Sequence, residues 1–555
     1  MQSALTTTMR PGWSGLAAAK TYLELHPQNR MLVIEAESSC GGTWSADRLY
    51  PALKSNNMLG SYGYPDFPMS EARYGVRDGE HIPAAVVHRY LTDYSKRFGV
   101  FERTLFDTRV NKVEAMDEGG WQIIAGSNAV FPRQFHCRKL IVASGLTSEP
   151  NIPVFQGQED FEGSLFHVKE FAKQTNTLPD CKSVVVIGGA KSAYDVAYAY
   201  ADAGAQVHMV IRPGGRGPGW LCPGYVTPMR LKTEEVLHTR FFGFFNPCLW
   251  SREEKFGKIQ EFLHGTTIGR WLVRLFWFLL CFDVINAYQY DKHEETKKLK
   301  PWYSAFWSAS GIGIVNYDSD VNAMVRGGKI ALHIANIAGL GKRNVQLSTG
   351  ETFAADAIVC ATGWTTTRSL NSIDYSIKTL HTAEAVESMV ADADREILTR
   401  FPELRNQPRT LPADLARGGA RPLYRFMVPP ARITEKNIAF IGAVTTVGTS
   451  ICAAVQALWI CACFDDNLVR CPITQDAAMQ DAILSSRWGR WRYPCGYGPT
   501  VPDLGFDTVP YFDLLLRDLG LEARRKCSFW NELWEPYKPR NFASMVDEYQ
   551  QRHRD

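Results

Sequence analysis

The segment KSVVVIGGAKSAYDVAYAYADAGAQVHMVIR, Lys182 to Arg212, holds the residues best suited to gripping a phosphate. Gly188, Gly189 and Ala190 follow an apolar, β-branched run, Ser183 to Ile187. They open a helical pattern in which Ala193, Val196, Ala197 and Tyr200 recur. A tight turn of this kind aims backbone N–H groups from a helix start, where the helix dipole adds to the attraction for an anion. The spacing predicts a βαβ unit that holds a dinucleotide pyrophosphate with Gly188, Gly189, Lys191 and Ser192, although Ala190 and Ala193 stand where glycines are usual. The second strand, Gln206 to Ile211, ends in Arg212, with Arg216 four residues on. A carboxylate at that strand end would suit a ribose 2′-hydroxyl. An arginine suits a 2′-phosphate, so NADPH is expected over NADH.

A second pattern of this type stands at the N-terminus. Gly12, Ser14 and Gly15 open the helical run LAAAKTYLEL, and the strand Met31 to Ile34 ends in Glu35, a carboxylate placed for a ribose hydroxyl. Its first part is irregular. Arg10 occupies the place of the first glycine, and Pro11 removes a backbone N–H from the loop. Ala4 to Met9 (ALTTTM) carries three threonines where a central parallel strand is normally a continuous apolar run. These departures predict weakened cofactor binding or a segment missing upstream.

With 555 residues the chain is long enough for two or three domains. Hydrophobic residues at 45% and charged residues at 21% are the balance of a globular protein, and a net charge of +3 is too small to argue for nucleic acid. Thirteen cysteines include no CxxC pair, and the N-terminus has no basic and apolar signal pattern, so a reduced, cytoplasmic protein is expected. No metal-ligand pattern or nucleophilic triad is found. The uncharged stretch Asn437 to Phe464 divides at Gly442 into a strand and a helix starting near Thr449, the pattern of a buried βα unit. Ile268 to Ile285 is aromatic and apolar but carries Arg270, Arg274 and Asp283, which argue against a full membrane crossing. Two readings stay open for it: a helix lying in a membrane interface, giving peripheral contact through 268–285, or a helix packed over the active site.

GWSGLAAAKTY followed by LVIEAESSCGGTW resembles the FAD-binding segment of flavin-containing monooxygenases, fungal members especially. On that resemblance Gly42, Thr43 and Trp44 join Gly12, Ser14, Gly15 and Glu35 at the FAD. Tyr50 to Met69 is similar to the family segment in which an asparagine precedes a DFP motif by ten residues, and this puts Asn56 beside the flavin. Phe161-x-Gly163-x-x-x-His167-x-x-x-Phe171 resembles the linker before the second nucleotide site, without the Pro or Asp that follows in Baeyer–Villiger members. His167 there reads as a hinge residue rather than a proton shuttle. AIVCATGW, Ala357 to Trp364, looks like the strand and Thr362–Gly363 turn that close such domains. The helix starting near Thr449 would point its N-terminus at the flavin's pyrimidine end.

The resemblance implies an α/β fold with two Rossmann-like dinucleotide-binding domains, one for FAD and one for NADPH. The second is inserted in the first, and a C-terminal cap follows. The expected division is 1–165 for the first part of the FAD domain and 166–365 for the NADPH domain, with an aromatic-rich insertion at 214–301. The second part of the FAD domain would be 366–470 and the cap 471–555. The implied activity is an FAD-dependent monooxygenase that uses NADPH and O2, by way of a C4a-(hydro)peroxyflavin, to oxygenate a small organic substrate of secondary metabolism. Heteroatom oxygenation leads Baeyer–Villiger oxidation, because the Asn56 segment fits and the Baeyer–Villiger linker ending does not. The alternatives are a flavin oxidoreductase that inserts no oxygen and a non-catalytic relative with a degraded FAD site.

Overall fold

The computed structural model describes residues 4–9, 11–126, 132–226, 230–253, 256–365, 373–374, 382–408 and 422–553. Short apolar strands build two parallel sheets of five strands each. Across the first, the order is Ile438–Phe440, Lys139–Ala143, Ala4–Met9, Arg30–Ile34 and Thr104–Leu105. The threonine-rich Ala4–Met9 segment lies at its centre, with Leu5 in register with Met31 on one side and Lys139 on the other. Threonine is β-branched and suits extended backbone, so the strand forms despite its small apolar area. Arg10, the departure expected to disturb the following turn, lies outside the described residues.

The second sheet runs Ser164–His167, Ala357–Cys360, Ser183–Ile187, Gln206–Ile211 and Ile330–Ile334, again all parallel. Parallel neighbours need crossovers on the sheet faces. Helix Trp13–Leu25 makes the crossover between the first two strands of the chain, and helix Lys191–Asp202 makes it in the second sheet. Both sheets are therefore covered, and residues 140–143 and 184–186 of their inner strands are buried. An antiparallel meander, Arg109–Ala115, Trp121–Gly126 and Arg133–Cys137, extends the first half. Helix Thr449–Phe464 packs on Trp13–Leu25 and is buried along nearly its whole length, Cys461 and Cys463 included.

The chain crosses between the sheets twice, and the crossings lie side by side. Asn151 N–H donates to the Gly363 carbonyl at 3.0 Å, and Thr365 N–H donates to the Glu149 carbonyl at 2.9 Å. The aromatic insertion and the C-terminal helix Gln475–Arg492 share a core around Trp220, Trp277, Trp488 and Phe506, whereas helix Thr508–Asp518 packs its apolar side into the core of the first sheet with helix Thr449–Phe464. The insertion's long helix is Thr267–Ala287. Gly269, Val273 and Trp277 face inward, and its other face is exposed. Among the described residues no helix is long and apolar enough to cross a membrane.

Candidate functional site

In the second sheet the turn after Ile187 has Gly188 at φ +146°, and a Cβ there would meet the Ala361 carbonyl oxygen at 2.5 Å. Only glycine fits. The next positions differ. Ala190 is extended, at φ −102° and ψ 176°, and Ala193 is a buried helical residue. Neither conformation requires glycine, which is why alanine is tolerated at both. Helix Lys191–Asp202 starts with no side-chain cap and no acidic residue in its first turn. Its first N–H groups are thus suited to an anion. Ser192 is exposed beside them. Lys191 turns along the helix instead: its ammonium pairs with Asp195, donates to Asn316 Oδ1 at 2.9 Å and lies 4.5 Å over the Tyr317 ring. Arg212 follows its strand, is exposed, and rests its stem against Gly215, where a Cβ would come within 2.9 Å.

The first sheet repeats the arrangement. Gly12 caps helix Trp13–Leu25, which also lacks a side-chain cap and any acid in its first turn. A Cβ on Gly12 would meet Gly41 O at 3.3 Å and Gly42 Cα at 3.5 Å, so two backbone turns converge at the helix start. Gly15 is buried inside the helix, and Ser14 touches Gly442. Thr43 shares a hydrogen bond of 2.9 Å with Thr147, and the Trp44 carbonyl lies 2.9 Å from His88 Nδ1. Glu35 is 1% exposed, and its Oε1 accepts from Glu37 N–H at 2.8 Å. A polar cleft of about 270 Å³ adjoins it, lined by Ala36, Glu37, Arg48, Arg109 and Lys169 among others. Arg48 donates to the Thr147 carbonyl at 3.0 Å, and Lys169 to that of Ser148 at 2.8 Å. Sequence reasoning missed these basic residues because they belong to no motif. A glycine cradle, an acid-free helix start and a buried carboxylate at a strand end form a donor and acceptor set that fits a dinucleotide.

Asn56 is exposed on strand Lys54–Met58. Its neighbour Asn57 donates from Nδ2 to the Val447 carbonyl at 3.2 Å and to Glu234 Oε2 at 2.6 Å. The asparagine segment therefore meets the loop ahead of helix Thr449–Phe464 across 390 residues of sequence. That helix has Gly448 at its N-cap, again without a side-chain cap or a first-turn acid, and Thr449 Oγ1 donates to the Thr446 carbonyl at 3.4 Å. Glu234, on the short insertion helix Thr233–Leu237, is 2% exposed. Burial pushes its carboxyl up to about 7 against the opposing pull of Ser61, Met58 N–H and Asn57. Nothing in the sequence around Glu234 signals this role.

His167 fixes the double crossing. Its Nε2 lies 3.0 Å from the Gly363 carbonyl, and its Nδ1 accepts from Lys169 N–H at 3.1 Å. Burial lowers its pKa, so the ring is held neutral with one donor and one acceptor nitrogen. Thr362 Oγ1 donates to the Asn151 carbonyl across the same junction, and Gly363 turns at φ +82°.

A family model described as pyridine nucleotide-disulphide oxidoreductase matches residues 14–221. An FAD-dependent monooxygenase of Pyrenophora dematioidea is 35% identical over 544 residues, which cover 93% of this chain and 97% of the relative. The FAD-dependent monooxygenase resA of Aspergillus sclerotiorum is 32% identical, covering 97% of this chain and 96% of its own. Among solved structures, the open form of cyclohexanone monooxygenase matches with a TM-score of 0.61 at 14% identity, over 93% of this chain and 97% of that one. An oxidised steroid monooxygenase bound to NADP matches at 0.59 and 17%, over 94% and 98%. At these identities the two structures show the shared fold, two Rossmann-type sheets in one chain. The fungal relatives show more, and by their likeness over almost the full length the chain belongs to the family of FAD-dependent monooxygenases.

Proposed function

We propose that the chain uses NADPH and O2 to oxygenate a soft heteroatom, an amine or sulfide, of a small organic molecule in fungal secondary metabolism. FAD held at the first sheet would supply the redox chemistry between NADPH and O2. The observation that carries this reading is the junction of Asn57 with Val447, because it sets the Asn56 segment against the start of helix Thr449–Phe464. In this reading Gly12, Ser14, Gly15, Gly42, Thr43 and Trp44 line the FAD, and Glu35 accepts from its ribose. Gly188, Gly189 and Ser192 face the NADPH pyrophosphate and Arg212 its 2′-phosphate, with Lys191 setting the helix start through Asp195. Asn56 offers a neutral amide to the flavin edge, and the dipole of the helix at Thr449 favours negative charge there. Thr362 and Gly363 join the two halves. The division is 1–165 and 366–470 for FAD, 166–365 for NADPH and 471–555 for the cap. Heteroatom oxygenation is favoured over Baeyer–Villiger oxidation because Phe171 is followed by Ala172. The visible spectrum of the purified chain, bleached by NADPH and restored by air, tests the cofactor reading. Label from oxygen gas in a product tests oxygenation, and its absence would leave a flavin oxidoreductase.

One further feature favours peripheral membrane contact. On helix Thr267–Ala287 the outer positions Ile268, Trp271, Leu275, Phe278 and Phe282 are all exposed, Ile268 at 68% and Phe278 at 61%. Arg270 and Arg274 lie on the same helix, the latter 2.5 Å from Glu403. An apolar, aromatic face of this kind suits a lipid interface. Co-sedimentation with anionic liposomes, lost in Phe278→Glu, is the expected result; a wild-type chain that stays in the supernatant at low salt refutes it.

A further inference from the structure

Glu234 comes from the insertion, outside both sheets, and reaches the segment that carries the asparagines. Its Oε2 accepts from Asn57 Nδ2 at 2.6 Å, its Oε1 accepts from Met58 N–H at 2.8 Å, and the Ser61 hydroxyl lies against the same Oε1. Ser61 also reaches the Met58 carbonyl at 2.9 Å, so one hydroxyl bridges the carboxyl and the backbone. The same short stretch sends Lys232 Nζ to the Leu59 carbonyl at 3.1 Å. Residues 57 to 61 are thus held from one side by two charged groups of the insertion. On the other side, Asn57 is tied to Val447, immediately before the cap of helix Thr449–Phe464.

We propose that Glu234 is a positioning residue for the oxygenation reaction: it fixes the Asn57 amide, and through it the neighbouring Asn56, against the start of helix Thr449–Phe464. The inference rests on the reading that Asn56 and this helix flank the flavin. Geometry gives the reason. The two Nδ2 hydrogens of Asn57 are directed to Glu234 and Val447, so its orientation is over-determined by two acceptors from distant parts of the chain. Without the carboxyl, Met58 N–H and one Nδ2 hydrogen of Asn57 would face a buried space with no acceptor, and the segment would relax. A looser segment beside a flavin admits water and lets activated oxygen escape as peroxide. The groups facing the carboxyl also make its proton matter. Glu235 lies beside it, paired with Lys538 at 2.9 Å and Lys232 at 3.5 Å, and Tyr62 approaches from the strand side. No cation pairs with Glu234 itself among the described contacts, which together with burial places its titration close to neutral pH.

The test uses the full FAD-loaded chain and three readouts: the visible flavin spectrum, NADPH-driven hydrogen peroxide release in air without organic substrate, and the melting temperature, each from pH 6 to 8.5. Gln at position 234 keeps an oxygen for Met58 N–H and Ser61 but opposes an amide N–H to that of Asn57. Glu234→Gln is expected to raise peroxide release several-fold at pH 7 while flavin stays bound. The wild-type spectrum and peroxide rate should show a transition near neutral pH that Glu234→Gln lacks. Ser61→Ala should move that midpoint upward, since it removes a donor that favours the ionised carboxyl; it serves as the test should Glu234→Gln fail to fold. A variant that melts lower but matches the wild type in spectrum, peroxide rate and pH profile would assign Glu234 to stability alone and overturn the inference. A wild-type chain that takes up no flavin would overturn the underlying reading as well.

Discussion

Single side chains in this molecule are set by what lies at the ends of strands and the starts of helices. Arg212 illustrates it: it follows Ile211, is exposed, and its stem is supported by Gly215. Arg212→Ala should weaken NADPH binding roughly tenfold to a hundredfold, the loss of one charge-assisted contact of about 1.5–3 kcal/mol, and leave NADH nearly unchanged. Equal losses for both cofactors in a binding titration would make Arg212 structural. Glu234 makes a prediction about stability. Its folded carboxyl titrates at about 7, above the ordinary 4.5, so the folded chain keeps that proton longer than the unfolded chain. Stability from this group is therefore intact below about pH 4.5 and falls as pH rises towards 7. The loss is at most about 3 kcal/mol by linkage. Glu234→Gln should flatten the decline of melting temperature between pH 5 and pH 8. A variant that declines as steeply as the wild type would exclude a proton on Glu234.

At the scale of elements, the sequence made the sheets legible and much of the site's surroundings illegible. The run at Ser183–Ile187 reads as a buried parallel strand because both faces are covered and every position after Ser183 is apolar. The Gly188 turn was equally plain, since only glycine takes its φ. Boundaries were softer: the insertion helix read as Ile268 to Ile285 extends from Thr267 to Ala287. Glu234, Arg48 and Lys169 could not be found, because their partners lie 176, 99 and 21 residues away and no local pattern marks them. The fingerprint departs from glycine at Ala190 and Ala193 without backbone strain, as both alanines sit in conformations that alanine adopts freely. The N-terminal strand is the sharper test. Ala4–Met9 pairs on both sides, yet three of its six residues are threonine, and Pro11 gives the turn no N–H. The wild-type chain should hold less than one FAD per molecule. Replacing Met1 to Pro11 with an apolar strand ending in Gly-Ala should bring the flavin-to-protein absorbance ratio up to one. A full ratio in the unaltered chain would show that paired backbone and Gly12 suffice.

Across the whole molecule, the insertion and the C-terminal helices are joined by a shared aromatic core and, beside it, by a buried ionic cluster. Arg240 is 6% exposed; its guanidinium donates to Asp513 at 2.5 and 3.0 Å, to Glu532 at 2.8 Å and to the Tyr537 hydroxyl at 2.9 Å. Asp513 lies on helix Thr508–Asp518 and Glu532 on helix Phe529–Trp534, so one side chain of the insertion holds two helices of the cap. Buried ion pairs of this sort contribute little net stability against an apolar replacement, but breaking one is expensive because a charge is left buried alone. Arg240→Met should therefore destabilise the cap by about 3–5 kcal/mol. Limited proteolysis should cut first between the cap helices, before the two sheets lose protection. Because the insertion also carries Glu234, the same variant should raise peroxide release in the FAD-loaded chain. Converting the partners as well, Arg240→Met with Asp513→Leu and Glu532→Met, removes every stranded charge and should recover most of the lost protection. If the triple variant is no better protected than Arg240→Met alone, the joint depends on the geometry of the guanidinium fork itself, and charge burial is not what makes its loss costly.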